Sequence, residues 1–180
     1  QMNEIQNAIF HLINNILSDD FFDAKLKNHK EQKIIENSSI RYGLINYVAK
    51  YSLANNEYLI TDKCLNYLQS QSLISEKGLL RGKKGNKHKF TFEHPIPANI
   101  ITDLLYKNRK DKKMMLKVLK ATDLVTVLTY EENDEINKSR LTSSMPNDWE
   151  IFQDNPFIRY SISGVESPTK TIKVYGALAR

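Results

Sequence analysis

Residues 77–97 read KGLLRGKKGNKHKFTFEHPIP, and this stretch decides how the rest of the chain is interpreted. Two short apolar runs flank a turn of glycine and asparagine, which predicts a β-hairpin. Six Lys or Arg side chains lie between Lys77 and Lys89 with no acidic residue among them. A cationic hairpin that follows a helix commonly contacts a phosphate backbone, so we expect this one to face an anionic partner.

Composition sets broad limits on the protein. The chain has 180 residues, 41% of them apolar, which is enough for one large domain or two small ones. No apolar run approaches the roughly 20 residues needed to span a bilayer, and no secretory signal is visible. The single Cys64 excludes an internal disulfide, and we expect it to be buried as a small hydrophobe. These features predict a cytoplasmic protein without a membrane partner. Its wealth of Asn, Lys and Ile suggests a bacterial or phage source.

Helices are predicted before the hairpin. Apolar residues at helical spacing predict a first helix whose core-facing stripe contains Ile5, Ala8, Ile9, Leu12, Ile13, Ile16 and Leu17. A second helix is expected from Ser39 to Ser52. Thr61 is placed to cap a third helix that contains Cys64 and Leu68.

This order of helices and hairpin resembles the architecture of winged helix-turn-helix proteins. In DNA-binding versions the helix before the wing enters the major groove. The resemblance implies that Asn66 and Gln69 would face base edges here, although the wing supplies more positive charge.

The second part of the chain changes its pattern. Helical spacing resumes after Pro97, and a basic segment follows at residues 107–120. Leu124 to Leu128 predicts a buried strand, and Thr129 with Glu132 has the spacing of a capping box for the next helix. Residues 157–163 and 169–174 alternate as strands do. We therefore predict an α+β fold. Residues 2–95 would form a helical, winged-helix-like region and residues 96–180 a smaller α/β region, or the two would form one continuous domain.

The Glu93-His94 pair is the candidate for acid–base chemistry. Neighbours on a regular strand point to opposite faces, which argues against a tight couple. The run Glu93-His94-Pro95-Ile96-Pro97 resembles the acid-His opening of HNH nucleases. Those enzymes also require later metal-binding Asn or His residues on a helix. No histidine follows His94, which leaves Asn99 and Asn108 as the candidates.

Other catalytic signatures are missing from the sequence. It contains no Walker-A spacing, no Gly-x-Gly-x-x-Gly and no Cys/His metal cluster, so we predict no cofactor and no metal site. Arg140 and Arg159 are isolated cations, and structural ion pairing is the expected use of Arg159.

The leading functional prediction is a nucleic-acid-binding protein, with DNA preferred to RNA. Its expected contacts are Lys77, Arg81, Lys83, Lys84, Lys87, Lys89, Arg109, Lys110, Lys112 and Lys113. One alternative is a small nuclease of the restriction or toxin type, acting on DNA or RNA, that uses Glu93, His94, a wing lysine and Arg140 or Arg159. Another is a protein-interaction module, such as an immunity or adaptor protein, with an acidic partner. Whether the protein is an enzyme is left open by the sequence.

Overall fold

The computed structural model describes residues 2–18, 39–81 and 89–174. Within these ranges the chain forms seven helices and a four-stranded sheet, which confirms a mixed α+β fold with a helical N-terminal part. In chain order the elements are α1 (Glu4–Ser18), α2 (Ser39–Leu53), β1 (Glu57–Ile60), α3 (Asp62–Ser70), β2 (Phe90–Glu93), α4 (Ala98–Lys107), α5 (Lys112–Ala121), β3 (Thr126–Thr129), α6 (Tyr130–Lys138), α7 (Ile158–Ile162) and β4 (Lys170–Lys173). No helix in the described part of the chain is long and apolar enough to cross a membrane.

The sheet has the strand order β2-β3-β1-β4. Strands β1 and β3 are parallel, while β2 pairs with β3 and β4 pairs with β1 in antiparallel fashion. All four residues of β3 are buried, as expected for a strand covered on both faces. Two strands come from each side of the boundary predicted near residue 95, so the sheet joins the two predicted regions.

The described elements pack around two main apolar cores. Helices α1, α2, α4 and α5 share a helical core that includes Ile13, Val48 and Met115. Strands of the sheet and α3 share a second core that includes Ile60, Leu68 and Val127. A smaller cluster joins β3, α6 and α7 through Leu128 and Tyr160.

The buried face of α1 differs from the predicted stripe. Ile9, Phe10 and Ile13 are buried, whereas Ile5 is 63% exposed and Leu12 is 46% exposed. Apolar residues cover more than half of the circumference of this helix, so helical spacing alone allows two orientations. The observed orientation buries the large Phe10 ring, which the predicted stripe omitted.

Two helix starts confirm the capping predictions. The Cys64 backbone N–H donates to the Thr61 hydroxyl at 3.2 Å, at the start of α3. At the start of α6, the Glu132 backbone N–H donates to the Thr129 hydroxyl at 3.2 Å, and the Thr129 backbone N–H donates to the Glu132 carboxylate at 2.9 Å. These reciprocal bonds satisfy donors that a helix leaves unpaired in its first turn.

The predicted strand at residues 157–163 is wrong, because Ile158–Ile162 is the short helix α7. The Phe157 backbone N–H donates to the Asn155 side chain at 2.9 Å, and this turn starts the helix. Gly164 ends it with φ of 71°, a left-handed conformation that suits glycine. The second predicted strand is confirmed as β4.

The two apolar runs of the predicted hairpin pair with other segments, and residues 82–88 between them lie outside the described residues. Ile74 bridges Leu80 in antiparallel fashion, and the Arg81 backbone N–H donates to the Leu73 carbonyl at 2.7 Å. Gly78 closes the turn with φ of 70°, which favours a tight turn at Glu76–Gly78. Leu79 also bridges Lys173 at the β4 edge, whereas β2 lies at the opposite edge and pairs with β3. The two apolar runs of the predicted hairpin therefore lie at opposite edges of the sheet.

Candidate functional site

An open groove of about 1310 Å³ lies where the Leu73–Arg81 hairpin meets β4 and α3. Four cations line this groove, two from the hairpin and two from β4: Lys77, Arg81, Lys170 and Lys173. All four residues are exposed. The hydroxyl-bearing residues Ser72, Ser75, Thr169 and Thr171 line it as well. Ammonium, guanidinium and hydroxyl groups are the side chains that usually hold phosphate oxygens.

Acidic neighbours reduce the positive charge of this groove. Glu76 is one of its lining residues, and Lys170 Nζ forms an ion pair with Asp62 at 3.1 Å. Lys173 stands opposite Glu57 in the β1–β4 pairing. Because acids offset the charges of Lys170 and Lys173, Lys77 and Arg81 should supply most of the positive charge of the groove.

The outer surface of α3 lies between this groove and Lys89. Gln69 lines the groove, while Tyr67 lines a smaller cavity of about 130 Å³ together with Lys89. The Lys89 backbone N–H donates to the Tyr67 hydroxyl at 3.1 Å. Asn66 and Gln69 are both exposed on this helix. Arg81 and Lys89 border residues 82–88 in the sequence, and they lie on the two sides of α3.

Lys89 also lies close to negative charge. Lys63 and Glu131 form an ion pair at 2.7 Å in the same small cavity. The hydrogen bond from Lys63 lowers the pKa of Glu131 below its ordinary value, and the charge of Lys89 acts in the same direction. Lys83, Lys84 and Lys87 belong to residues 82–88, outside the described residues.

The second basic segment, residues 107–120, surrounds α5 and the end of α4, whose apolar faces belong to the helical core. The Arg109 guanidinium lies 4.5 Å from the centre of the Tyr106 ring, and Lys112 Nζ lies 5.8 Å from that of Phe10. Lys110 and Lys113 are exposed. At the start of α5 the Asp111 carboxylate accepts hydrogen bonds from the next helical N–H groups. Among the described residues, the groove cations therefore lie at the β4 edge, and the second basic surface, residues 107–120, packs with the helical core.

Glu93 lies at the end of β2 and is tied to α7. Arg159 Nη1 donates to Glu93 Oε1 at 2.8 Å, and the Tyr160 hydroxyl donates to Glu93 Oε2. The same guanidinium donates to the carbonyls of His94, Pro95, Leu141 and Thr142. Arg159 is only 1% exposed, and the prediction that it forms a structural ion pair is confirmed.

Burial and charge act in opposite directions on Glu93. Burial raises the pKa of its carboxyl group, and the charge of Arg159 and the Tyr160 hydrogen bond counteract that shift. Burial raises the pKa of the Tyr160 hydroxyl far above its ordinary value, and the Glu93 charge raises it further. Both carboxylate oxygens of Glu93 thus accept hydrogen bonds from side chains of α7. This arrangement suits a structural contact between β2 and α7 better than a catalytic base. A catalytic Glu93 or His94 stays a prediction.

Arg140 is exposed at the end of α6, where φ is 63°. Among the described residues, no group of three or more His, Cys, Asp or Glu side chains is arranged to hold a metal ion. The Cys64 thiol is buried, and burial raises its pKa to about 12, so it is a poor nucleophile.

Sequence reasoning missed Lys170 and Lys173. The alternation of residues 169–174 predicted β4, but exposed lysines such as Lys170 and Lys173 also protect ordinary edge strands. Their place beside Lys77 and Arg81 depends on the bridge between Leu79 and Lys173, which are separated by about half of the chain.

Comparison of the chain with models of known protein families, with curated proteins and with solved structures gives no match.

Proposed function

We propose that the protein binds nucleic acid and that the groove between α3, the Leu73–Arg81 hairpin and β4 holds the phosphate backbone. The observation that carries the proposal is the convergence of four cations on one groove, beside hydroxyl side chains. Phosphate contacts of this kind supply most of the non-specific affinity for nucleic acids. The local acids, Glu76 and Asp62, should weaken this binding, and the phosphate contacts should make it depend on salt.

DNA is the preferred ligand in this proposal. Asn66 and Gln69 are exposed on α3 next to the groove, and amide side chains can form paired hydrogen bonds with adenine in a major groove. The major groove of A-form RNA is too deep and narrow for side chains to read. A helix that presents such residues beside a phosphate-binding groove therefore suits B-form DNA.

The salt dependence of binding tests the proposal. Changing Lys77 and Arg81 together to Ala should weaken binding to duplex DNA of any sequence. It should also reduce the slope of log affinity against log salt by about 0.9 for each lost phosphate contact. A matched control changes Lys50 and Lys138 to Ala, because these exposed cations lie on α2 and α6, away from the groove. Affinity and slope that are equal in the two variants would refute the groove as the binding surface. An acidic protein partner would then be the better candidate.

A further inference from the structure

Phe152 combines two features that are unusual for an aromatic side chain. It is 46% exposed, and its φ of 75° lies in the left-handed region. A bulky residue with positive φ is a rare conformation that costs energy, and such residues concentrate at functional sites. The chain therefore holds this ring outward at a conformational cost.

The loop around Phe152 explains how the ring is held. Trp149 and Ile151 pack against the helical core, and Trp149 Nε1 donates to the Asn155 carbonyl at 3.2 Å. The Glu150 backbone N–H donates to the Asp154 carboxylate at 2.6 Å. These contacts anchor the chain on both sides of Phe152, so the exposed position belongs to a hydrogen-bonded loop.

A row of lysines lies beside the ring on α5. Lys113, Lys117 and Lys120 are exposed and follow one another at helical spacing of four and three residues. With a rise of about 1.5 Å per residue, neighbouring positions in the row are about 4.5–6 Å apart along the helix. Lys117 Nζ lies 4.4 Å from the centre of the Phe152 ring. Lys117 therefore places positive charge over one face of the ring, and Lys113 and Lys120 lie about one turn before and after it on α5.

We propose that the face of Phe152 opposite Lys117 is a stacking platform for an unpaired nucleobase, with Lys113 and Lys120 contacting the neighbouring phosphates. Aromatic side chains next to a cationic row are the usual means of binding single strands, because every base has a face that can stack. Bases within a duplex are already stacked and cannot occupy the ring. The inference rests on the proposed function and assigns the second basic surface to single-stranded nucleic acid.

Acidic residues of the loop determine on which side the strand runs. Glu150 and Asp154 are exposed in the same loop and would repel phosphates. The backbone of the strand should therefore lie over α5, with the base directed toward Phe152. Changing Glu150 to Gln should consequently strengthen the binding of single strands.

Binding of labelled single-stranded DNA and of the duplex with the same sequence tests the inference. Phe152→Leu keeps an apolar side chain with the same backbone strain and removes the ring. We expect it to weaken single-strand binding about fivefold or more and to leave duplex binding unchanged. Phe152→Tyr should bind as the wild type does. Tyr42→Leu is the matched control, because Tyr42 is an exposed aromatic residue on α2.

Four outcomes would overturn the inference. Single-strand binding by Phe152→Leu equal to that of the wild type would refute the platform, while the groove proposal would survive if Lys77 and Arg81 still control duplex binding. Equal losses for single strands and duplex would refute the preference for an unpaired base. A loss in Phe152→Tyr as large as in Phe152→Leu would show that an aromatic face is not what binds. A wild-type protein that binds neither DNA form would refute both the inference and the proposed function.

Discussion

Replacing the buried Arg159 of α7 with Met should destabilise the protein more than a single change at an exposed ion pair. The guanidinium is buried, and Arg159 Nη1 lies 2.8 Å from Glu93 Oε1. It also donates to four backbone carbonyls, two after β2 and two in the loop after α6. Methionine fills a similar volume but leaves the Glu93 carboxylate in the interior without its cation.

The expected loss follows from that uncompensated charge. Removing one partner of a buried ion pair typically costs about 3–5 kcal/mol in the free energy of unfolding. For a chain of this length, each kcal/mol corresponds to about 2–4 °C in the melting temperature, so the midpoint should fall by about 6–20 °C. Changing Glu93 to Gln in the same variant should restore part of the loss, because the buried charge is then absent.

The loss should also depend on pH. Burial already raises the pKa of Glu93, and Arg159 opposes that shift, so its removal should raise this pKa further. A carboxyl group with a raised pKa in the folded state binds more protons when folded than when unfolded, and its contribution to stability falls as pH rises. The difference between wild type and Arg159→Met should therefore be larger near about pH 8 than near about pH 4.

Denaturant unfolding followed by circular dichroism measures both effects. Arg41→Met is a suitable control, because Arg41 forms a partly exposed ion pair with Asp103 and its loss should cost only about 0–1 kcal/mol. If Arg159→Met loses no more stability than this control, the guanidinium does not stabilise the contact between β2 and α7. A loss of the same size at both pH values would refute the account of the Glu93 charge.

Two further predictions concern stability. Ile13→Asp should unfold the helical core, because Ile13 is fully buried, whereas Leu12→Asp should cost at most about 1 kcal/mol at its partly exposed position. Equal melting temperatures of the two variants would contradict the observed orientation of α1. Burial raises the pKa of Asp123, so the contribution of this group to stability should fall as pH rises through and above its ordinary range. Asp123→Asn can still accept the hydrogen bond that Gln6 donates at 2.8 Å, and it should melt higher than wild type near about pH 8 and show a flatter pH profile. A wild-type pH profile in this variant would contradict the prediction.

Local features of the fold could be predicted from the sequence because neighbouring residues determine them. Thr61 and Thr129 cap α3 and α6 through atoms three residues away along the chain. The apolar β-branched run before Thr129 predicted the central strand β3, since a strand covered on both faces needs apolar side chains on both. Helical spacing likewise predicted α1 and α2.

Tertiary structure decided the features that depend on distant residues. Periodicity could not select the buried face of α1, because apolar residues cover more than half of its circumference and packing against α2 determines which of them are buried. Glu93 and Arg159 are 66 positions apart, and an isolated arginine in the sequence does not reveal its carboxylate.

The candidate groove also depends on contacts between distant residues. The sequence by itself determined that Lys77 and Arg81 belong to a basic segment before β2. Only the pairing of Leu79 with Lys173 brings them beside Lys170 and Lys173, nearly a hundred residues later. Capping hydrogen bonds and apolar spacing involve only a few neighbouring residues, so they can be inferred directly from the sequence. The choice among possible strand partners depends on burying the whole sheet, and no short stretch of sequence contains that information.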